Sequence, residues 1–206
     1  MKEESTNPQS PNFWNQKYKN NDIGWDIGSP TPIFVNWSKK ISRSKKILIP
    51  GSGNGHDALY LSQKNHDVYA VDFSIEATNH LKKRAKDLNL QINTICDDFF
   101  KLKDYYGKMD IILEYTFFCA INPSLRLKYI METSKLLKEG GLFVGIILPI
   151  NKDVKEGGPP YGVDLDKIIK SFSDYYDILE CEKSELSIKP RMNNEVFTIM
   201  RKKCKK

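Results

Sequence analysis

Three clusters along the 206-residue chain could do chemistry, and each stands where a short apolar run gives way to an amphipathic one. The first, Gly51-Ser-Gly-Asn-Gly55, follows Lys46-Ile-Leu-Ile-Pro50. Glycines at such a place let the backbone turn sharply and leave room for a ligand against it. The dinucleotide fingerprint G-x-G-x-x-G needs its third glycine at position 56, which is His56 here, so a nicotinamide dinucleotide is disfavoured. The second is Asp72, closing Val68-Tyr-Ala-Val-Asp72; a carboxylate there can accept hydrogen bonds from both hydroxyls of a ribose. The third, Asp97-Asp98-Phe99, sets an acid able to receive an adenine amino group beside a ring able to cover the base. Each has a plainer alternative: an empty turn, a helix cap, a solvated loop over a buried phenylalanine. Ser74 already fits the capping duty next to Asp72, and the three clusters together predict an adenosine-type ligand.

Other chemistries find little support. No Ser-His-Asp arrangement is visible, and Cys119, inside an aromatic run, reads as packing rather than a nucleophile. Cys96, Cys119, Cys181 and Cys204 lie far apart with no C-x-x-C spacing, and His56, His66 and His80 lack ligand spacing, so no metal and no disulfide framework is expected. Trp37, at helical spacing from Ile33, reads as a core anchor; Trp14 and Trp25, on a segment bracketed by Gly and Pro, read as parts of a lid.

The elements that must position these residues follow from periodicity. Residues 1–12 read as a mobile arm, with Asn12 capping a short helix from Phe13 to about Asn20. A second short helix begins at Pro32 and ends near Lys40. Strands are predicted at Lys46–Pro50, Val68–Asp72, Ile92–Cys96, Met109–Glu114 and Leu142–Leu148, alternating with helices at His56–Lys64, Ser74–Leu88 and Pro123–Lys138, the last ended by Gly140 and Gly141. A helix at Leu165–Phe172 precedes two strands, Tyr176–Glu185 and Glu195–Arg201, which have no helix between them and can pair antiparallel. This layout predicts a single α/β domain over 13–200 with a lid at 13–44: a doubly wound, seven-stranded sheet, parallel in its first five strands, with ligands outside the strands' carboxyl ends.

Composition narrows the function classes. The longest apolar run, Leu142–Ile150, contains a glycine and a proline and is too short to span a bilayer, and the first twelve residues lack the apolar core of a secretory signal. A soluble, cytoplasmic protein with no membrane partner is expected. The net charge of +6 invites a nucleic-acid partner, but five of the 32 basic residues lie in 201–206, leaving 27 against 26 acidic ones over 1–200. A nearly neutral domain carries a basic tail, expected to be solvated and dispensable.

Phe13-Trp14 with Tyr18, Gly24-Trp-Asp-Ile-Gly-Ser-Pro-Thr-Pro32, Ile49-Pro-Gly-Ser-Gly-Asn-Gly-His-Asp57, Val71-Asp-Phe-Ser-Ile-Glu76, Asp97-Asp-Phe99, Tyr115-Thr-Phe-Phe-Cys-Ala-Ile121 and Gly157-Gly-Pro-Pro-Tyr161 occur in order over about residues 13–200. In this the chain resembles the thiopurine methyltransferase superfamily, and within it the halide and thiol methyltransferase branch known from plants and bacteria. The resemblance implies a class I S-adenosylmethionine-dependent methyltransferase with a Rossmann-like sheet and a helical lid. It implies that Trp14, Tyr18 and Trp25 close over the cofactor, with a tyrosine at position 18 where the plant branch has tryptophan. It also implies that Gly51, Gly53, Asp72, Asp98, Phe99 and Tyr115 contact the cofactor and that Tyr161 lies at the substrate end. A sulfonium carries positive charge beside the transferable methyl, and aromatic faces attract such a cation while excluding water.

Methyl transfer from a sulfonium is an in-line displacement that needs alignment and a dry pocket. A halide or thiolate acceptor needs no base; a neutral thiol, largely un-ionised at neutral pH, would gain from one. Tyr161, or a water it holds, is the candidate, although a phenol is a poor base at pH 7 and orientation of the acceptor is its other possible role. The expected substrate is a small soft nucleophile and the expected state a monomer. Two rivals stand beside this reading. A non-catalytic S-adenosylmethionine-binding protein would keep the cofactor residues alone. A nucleic-acid methyltransferase would carry its Pro-Pro-aromatic motif after the fourth strand, where this chain has Glu114-Tyr115-Thr116; its own Pro159-Pro160-Tyr161 comes after the fifth.

Overall fold

The computed structural model describes residues 6–204. The layout read as one domain divides into two compact units, 1–101 and 102–206.

In the first unit, α1 (Pro11–Lys19) and α2 (Pro32–Ser38) precede β1 (Lys46–Pro50), α3 (His56–Gln63), β2 (Asp67–Val71), α4 (Ile75–Asp87) and β3 (Asn93–Ile95). The strands lie parallel in the order β3-β2-β1, with Leu48 opposite Tyr69 and Tyr69 opposite Asn93. Ile47, Leu48, Val68 and Ala70 are fully buried, as near-continuous apolar strands covered on both faces should be. Ser74 caps α4 by accepting the Ala77 N–H, and Ala77, Leu81 and Ala85 form its buried stripe, as expected from their spacing. Trp37 is buried beside Ile33 and Phe34.

The amino-terminal expectation needs correction. The first helix starts at Pro11, capped by Ser10, whose hydroxyl accepts the Asn12 N–H at 3.2 Å, and not at Phe13 behind Asn12. Ser10 and Pro11 supply both the cap and the preset first turn, which outcompetes a cap two residues later. Of the expected arm, residues 1–5 lie outside the described residues, while Pro8 is tied down by the Trp14 indole N–H, which donates to its carbonyl at 2.8 Å.

The second unit holds β4 (Met109–Tyr115), α5 (Arg126–Leu136), β5 (Leu137–Ile147), α6 (Leu165–Phe172), β6 (Tyr176–Glu182) and β7 (Val196–Lys202), with strand order β4-β5-β7-β6. β4 and β5 are parallel; β7 runs antiparallel to β5 and β6, which is the expected closing hairpin. Phe143, Phe172, Tyr176, Tyr129 and Phe118 interlock with ring centroids 5.0–6.5 Å apart and form its core.

Two expectations here are also corrected. Gly140 and Gly141 do not end α5; the helix stops at Leu136 and passes directly into β5, with both glycines inside the strand at a register shift opposite Met109–Ile111. The last-turn carbonyls find other donors: Gly107 N–H to Lys135 at 2.8 Å and Lys108 N–H to Leu136 at 3.2 Å. A Cβ at Gly141 would stand 3.1 Å from the Asp110 carbonyl, so the glycine serves a close approach of strands. The basic tail, in turn, begins later than the charge pattern suggests. Arg201 and Lys202 are the last rungs of β7, and Lys202 Nζ bonds the Leu137 carbonyl at 2.8 Å and Glu139 at 3.2 Å. Residues 205–206 lie outside the described residues. No helix of the described residues is long and apolar enough to cross a membrane.

Candidate active site

In the first unit the glycine loop adopts positive φ at Gly51 (56°), Gly53 (54°) and Gly55 (71°), the conformation that side chains resist. Asp72, 8% exposed at the end of β2, receives the Gly53 N–H on Oδ2 (3.0 Å) and the Ser74 N–H on Oδ1 (2.9 Å). Its own N–H donates to the Ile95 carbonyl, which ties the ends of β2 and β3 together. Burial pushes its carboxyl up to about 6, against the pull of those two amide donors. Asp72 is thus the pin between the glycine loop and the start of α4, and its remaining lone pairs are what a ribose could use.

Trp14, Trp25 and Tyr18 meet edge to face, with centroids 5.2 Å apart for Trp14–Trp25 and 5.8 Å for Tyr18–Trp25. Tyr18 is buried over the glycine loop: a Cβ at Gly53 would come within 2.8 Å of its hydroxyl oxygen. Burial and the nearby Asp72 raise the Tyr18 phenol well above its ordinary range, so it stays protonated. The Ser52 hydroxyl, in the middle of the loop, is a buried polar atom with no partner among the described residues. Glycines that leave a cradle, an orphaned hydroxyl within it and an aromatic wall fit a ligand with both polar and cationic parts. At the end of β3, Asp98 accepts the Phe100 N–H at 2.9 Å, and Phe99 is buried edge-on to Phe100, 5.5 Å between centroids.

Motif residues with no role expected from sequence fasten the segment 24–31 to the glycine loop and α3. Asp26 Oδ2 accepts Asn54 Nδ2 at 2.6 Å, and its Oδ1 lies 2.9 Å from His56 Nε2 and 2.6 Å from the Gly28 N–H. Arg84 can only donate, so His56 Nδ1, 3.3 Å from Arg84 Nη2, is the acceptor and Nε2–H faces Asp26. These donors hold the Asp26 carboxyl well below the usual carboxylate range, against the opposing cost of burial. Two residues beyond the loop, Asp57 accepts the Thr31 N–H at 2.7 Å and the Thr31 hydroxyl at 2.8 Å, fixing the start of α2. From the other side, α1 rests on α4 through Asn15 Oδ1, which accepts the Ser74 hydroxyl at 2.7 Å.

In the second unit, β4 ends in Glu114-Tyr115 and the chain turns at Thr116 with φ +69°, a conformation that costs a β-branched residue about 1–3 kcal/mol. Fully buried Glu114 holds that turn: Oε1 accepts the Phe117 N–H at 3.0 Å and the Phe118 N–H at 2.8 Å, while Oε2 accepts the Tyr129 hydroxyl. Burial pushes its carboxyl up to about 7 despite these donors. The Tyr161 N–H donates to the Cys119 carbonyl at 2.7 Å, and Arg126, its guanidinium 4.9 Å from the Phe118 ring centroid, donates to the Tyr161 (3.0 Å) and Gly162 (2.8 Å) carbonyls. Tyr161 is therefore held by its backbone on both sides. Tyr115 donates its hydroxyl to Glu195 at 3.0 Å, with Arg191 4.7 Å over its ring. Burial drives the Cys119 thiol up to about 12, which supports packing as its role. Sequence reasoning missed Arg126, Arg191 and Glu195.

Fold and site define a class of protein, the S-adenosylmethionine-dependent methyltransferases of the seven-stranded, Rossmann-like kind. Its fold is shared by the 1,6-didemethyltoxoflavin-N1-methyltransferase of Burkholderia thailandensis, solved with S-adenosylhomocysteine, at a TM-score of 0.75 and 14% identity over 94% of this chain and 87% of that one. Within that class, the family model for thiopurine S-methyltransferase matches residues 9–205, and the chain belongs to that family. It is 30% identical to "Probable thiol methyltransferase 2" of Arabidopsis thaliana over 186 residues, 88% of this chain and 81% of that protein. It is 25% identical to "Thiopurine S-methyltransferase" of Acinetobacter baylyi over 187 residues, 81% and 85% of the two chains. The protein is a methyltransferase that uses S-adenosylmethionine, which supplies an electrophilic methyl on a sulfonium when bound.

Proposed function

We propose that the protein methylates a small soft nucleophile, a thiol, hydrosulfide, thiocyanate or halide, by in-line displacement. The observation that supports this is the edge-to-face cluster of Trp14, Trp25 and Tyr18, with the Tyr18 hydroxyl over Gly53: ring faces and a phenol held protonated suit the positive charge of a sulfonium. In this reading Gly51, Gly53 and Asp72 hold the nucleoside, Asp98 and Phe99 the adenine, and Trp14, Tyr18 and Trp25 close over the cofactor, with Tyr115 as a further cofactor contact. Tyr161, pinned through Cys119 and Arg126, orients the acceptor. The reaction needs alignment above all, so backbone anchoring of Tyr161 matters more than its acidity. The name of the Arabidopsis relative supports a thiol acceptor, and that of the Acinetobacter relative keeps an aromatic thiol in the test.

The deciding experiment incubates purified protein with S-adenosylmethionine and iodide, bromide, thiocyanate, hydrosulfide, methanethiol or an aromatic thiol, and follows methylated product in headspace and solution. Product with at least one small sulfur or halide acceptor is expected. Cofactor binding without S-adenosylhomocysteine from any acceptor would favour a binding protein instead. Product from the aromatic thiol alone would move the substrate class to larger acceptors.

A further inference from the structure

Glu195 directly precedes β7 at 1% exposure, and burying a carboxylate that deeply is costly unless it is fully partnered. Its Oε2 accepts the Tyr115 hydroxyl at 3.0 Å, and Oε1 is buried without a partner among the described residues. The Arg191 guanidinium lies 4.7 Å from the Tyr115 ring centroid, over the face of the ring. Tyr115 is thereby held twice, by its hydroxyl's donation to Glu195 and by the guanidinium over its ring, and burial keeps the phenol protonated far above neutral pH. A hydroxyl committed in this way fixes ring orientation. Tyr115 itself stands at the carboxyl end of β4, one residue before the left-handed Thr116, where backbone bonds alone hold a side chain poorly.

We propose that Glu195 is a positioning residue: with Arg191 it locks the Tyr115 ring in the orientation that receives the cofactor, and it acts only through the Tyr115 hydroxyl. The inference rests on the methyl-transfer reading and deepens it by naming what sets one wall of its site. Glu195 is sealed from solvent, and in this proposal its loss matters only while the Tyr115 hydroxyl is present.

The test is a double-mutant cycle of Glu195→Gln and Tyr115→Phe, read first as S-adenosylhomocysteine affinity by calorimetry and then as kcat/KM for the best acceptor. Each single variant is expected to lose roughly 10- to 100-fold in kcat/KM and several-fold in affinity, with the double variant no worse than Tyr115→Phe alone. Losses that multiply in the double variant, or a Glu195→Gln protein with wild-type values, overturn the proposal. Should Glu195→Gln fail to fold, Glu195→Asp, which keeps the charge and withdraws it from the hydroxyl, runs the same cycle, and multiplying losses or wild-type values overturn the proposal there too. Wild-type protein that binds no S-adenosylhomocysteine would instead bring down the methyl-transfer reading; binding with a multiplicative cycle sinks the Glu195 role alone.

Discussion

Asp72 and Gly53 are joined by a hydrogen bond of 3.0 Å from the Gly53 N–H to a buried carboxylate oxygen, so the ribose-binding candidate also shapes the glycine loop. With its folded value raised from 3.8 to about 6, the native state holds this proton more tightly than the unfolded chain does. Stability from Asp72 is therefore greatest below about pH 4 and falls by roughly 3 kcal/mol as pH rises to about 6, then levels off. Ligand binding should run the other way. If the ionised form accepts the ribose hydroxyls, S-adenosylhomocysteine affinity drops about tenfold from pH 7 to pH 5. Asp72→Asn should weaken binding at pH 7 and flatten this profile, and an unchanged slope in calorimetry would remove Asp72 from the effect.

Gly53 and Gly55 stand two positions apart in the same loop and should respond differently to alanine. At Gly53 the new Cβ meets the movable end of Tyr18, so cofactor affinity is expected to fall at least tenfold, with a stability cost of about 1 kcal/mol from the positive φ. At Gly55 the Cβ would stand 2.3 Å from Leu81 Cδ1 inside the core, and a stability loss of about 2–3 kcal/mol is expected. Denaturant melts and ligand titrations on the two variants separate these effects; the same profile from both would contradict the assignment of Tyr18 as lid.

Tyr161→Phe should lower turnover more than S-adenosylmethionine affinity, because the backbone of residue 161 stays anchored and only the hydroxyl is lost. Arg126→Lys replaces two guanidinium donors to the Tyr161 and Gly162 carbonyls by one ammonium and gives up the planar stacking on Phe118. It is expected to reduce kcat by about tenfold with little change in cofactor affinity. Steady-state kinetics over several acceptors check both; wild-type turnover for every acceptor in Tyr161→Phe would take the hydroxyl out of the reaction.

The carboxyl terminus offers a sharp boundary. Deleting 204–206 should leave methyl transfer and melting temperature unchanged. Deleting 201–206 removes the β7 rungs opposite Leu142, Tyr176 and Asp177 and both Lys202 contacts, and is expected to cost about 2–4 kcal/mol. Equal thermal stability of the two truncations would show that the end of β7 contributes nothing.

Periodicity made the strands, the principal helices and the antiparallel ending legible, because apolar runs and Ser74 report on local geometry. Gly140 and Gly141 misled, since the carbonyls that a glycine cap would serve are taken by amides well upstream, at Gly107 and Lys108. Asp26, His56 and Asp57 were visible as motif members, yet their work is tertiary: each bonds a partner 26 to 30 residues away. Tyr115 and Glu195 are separated by 80 residues, and no spacing rule connects them. What a sequence shows of a site is the set of strand ends that face it; what fixes those side chains is pairing that appears only after folding.

Asp26 on Asn54 and His56, and Thr31 on Asp57, bind the segment 24–31 to the loop and helix start that it covers. Segment and loop then open as one cooperative piece, and amide exchange would register them with a single free energy. In the methyl-transfer reading, cofactor held beneath would leave only when that piece lets go. On that reading Asp26 and Asp57 would set the timing of departure, and a variant of either could hasten turnover while leaving the bond-making step untouched.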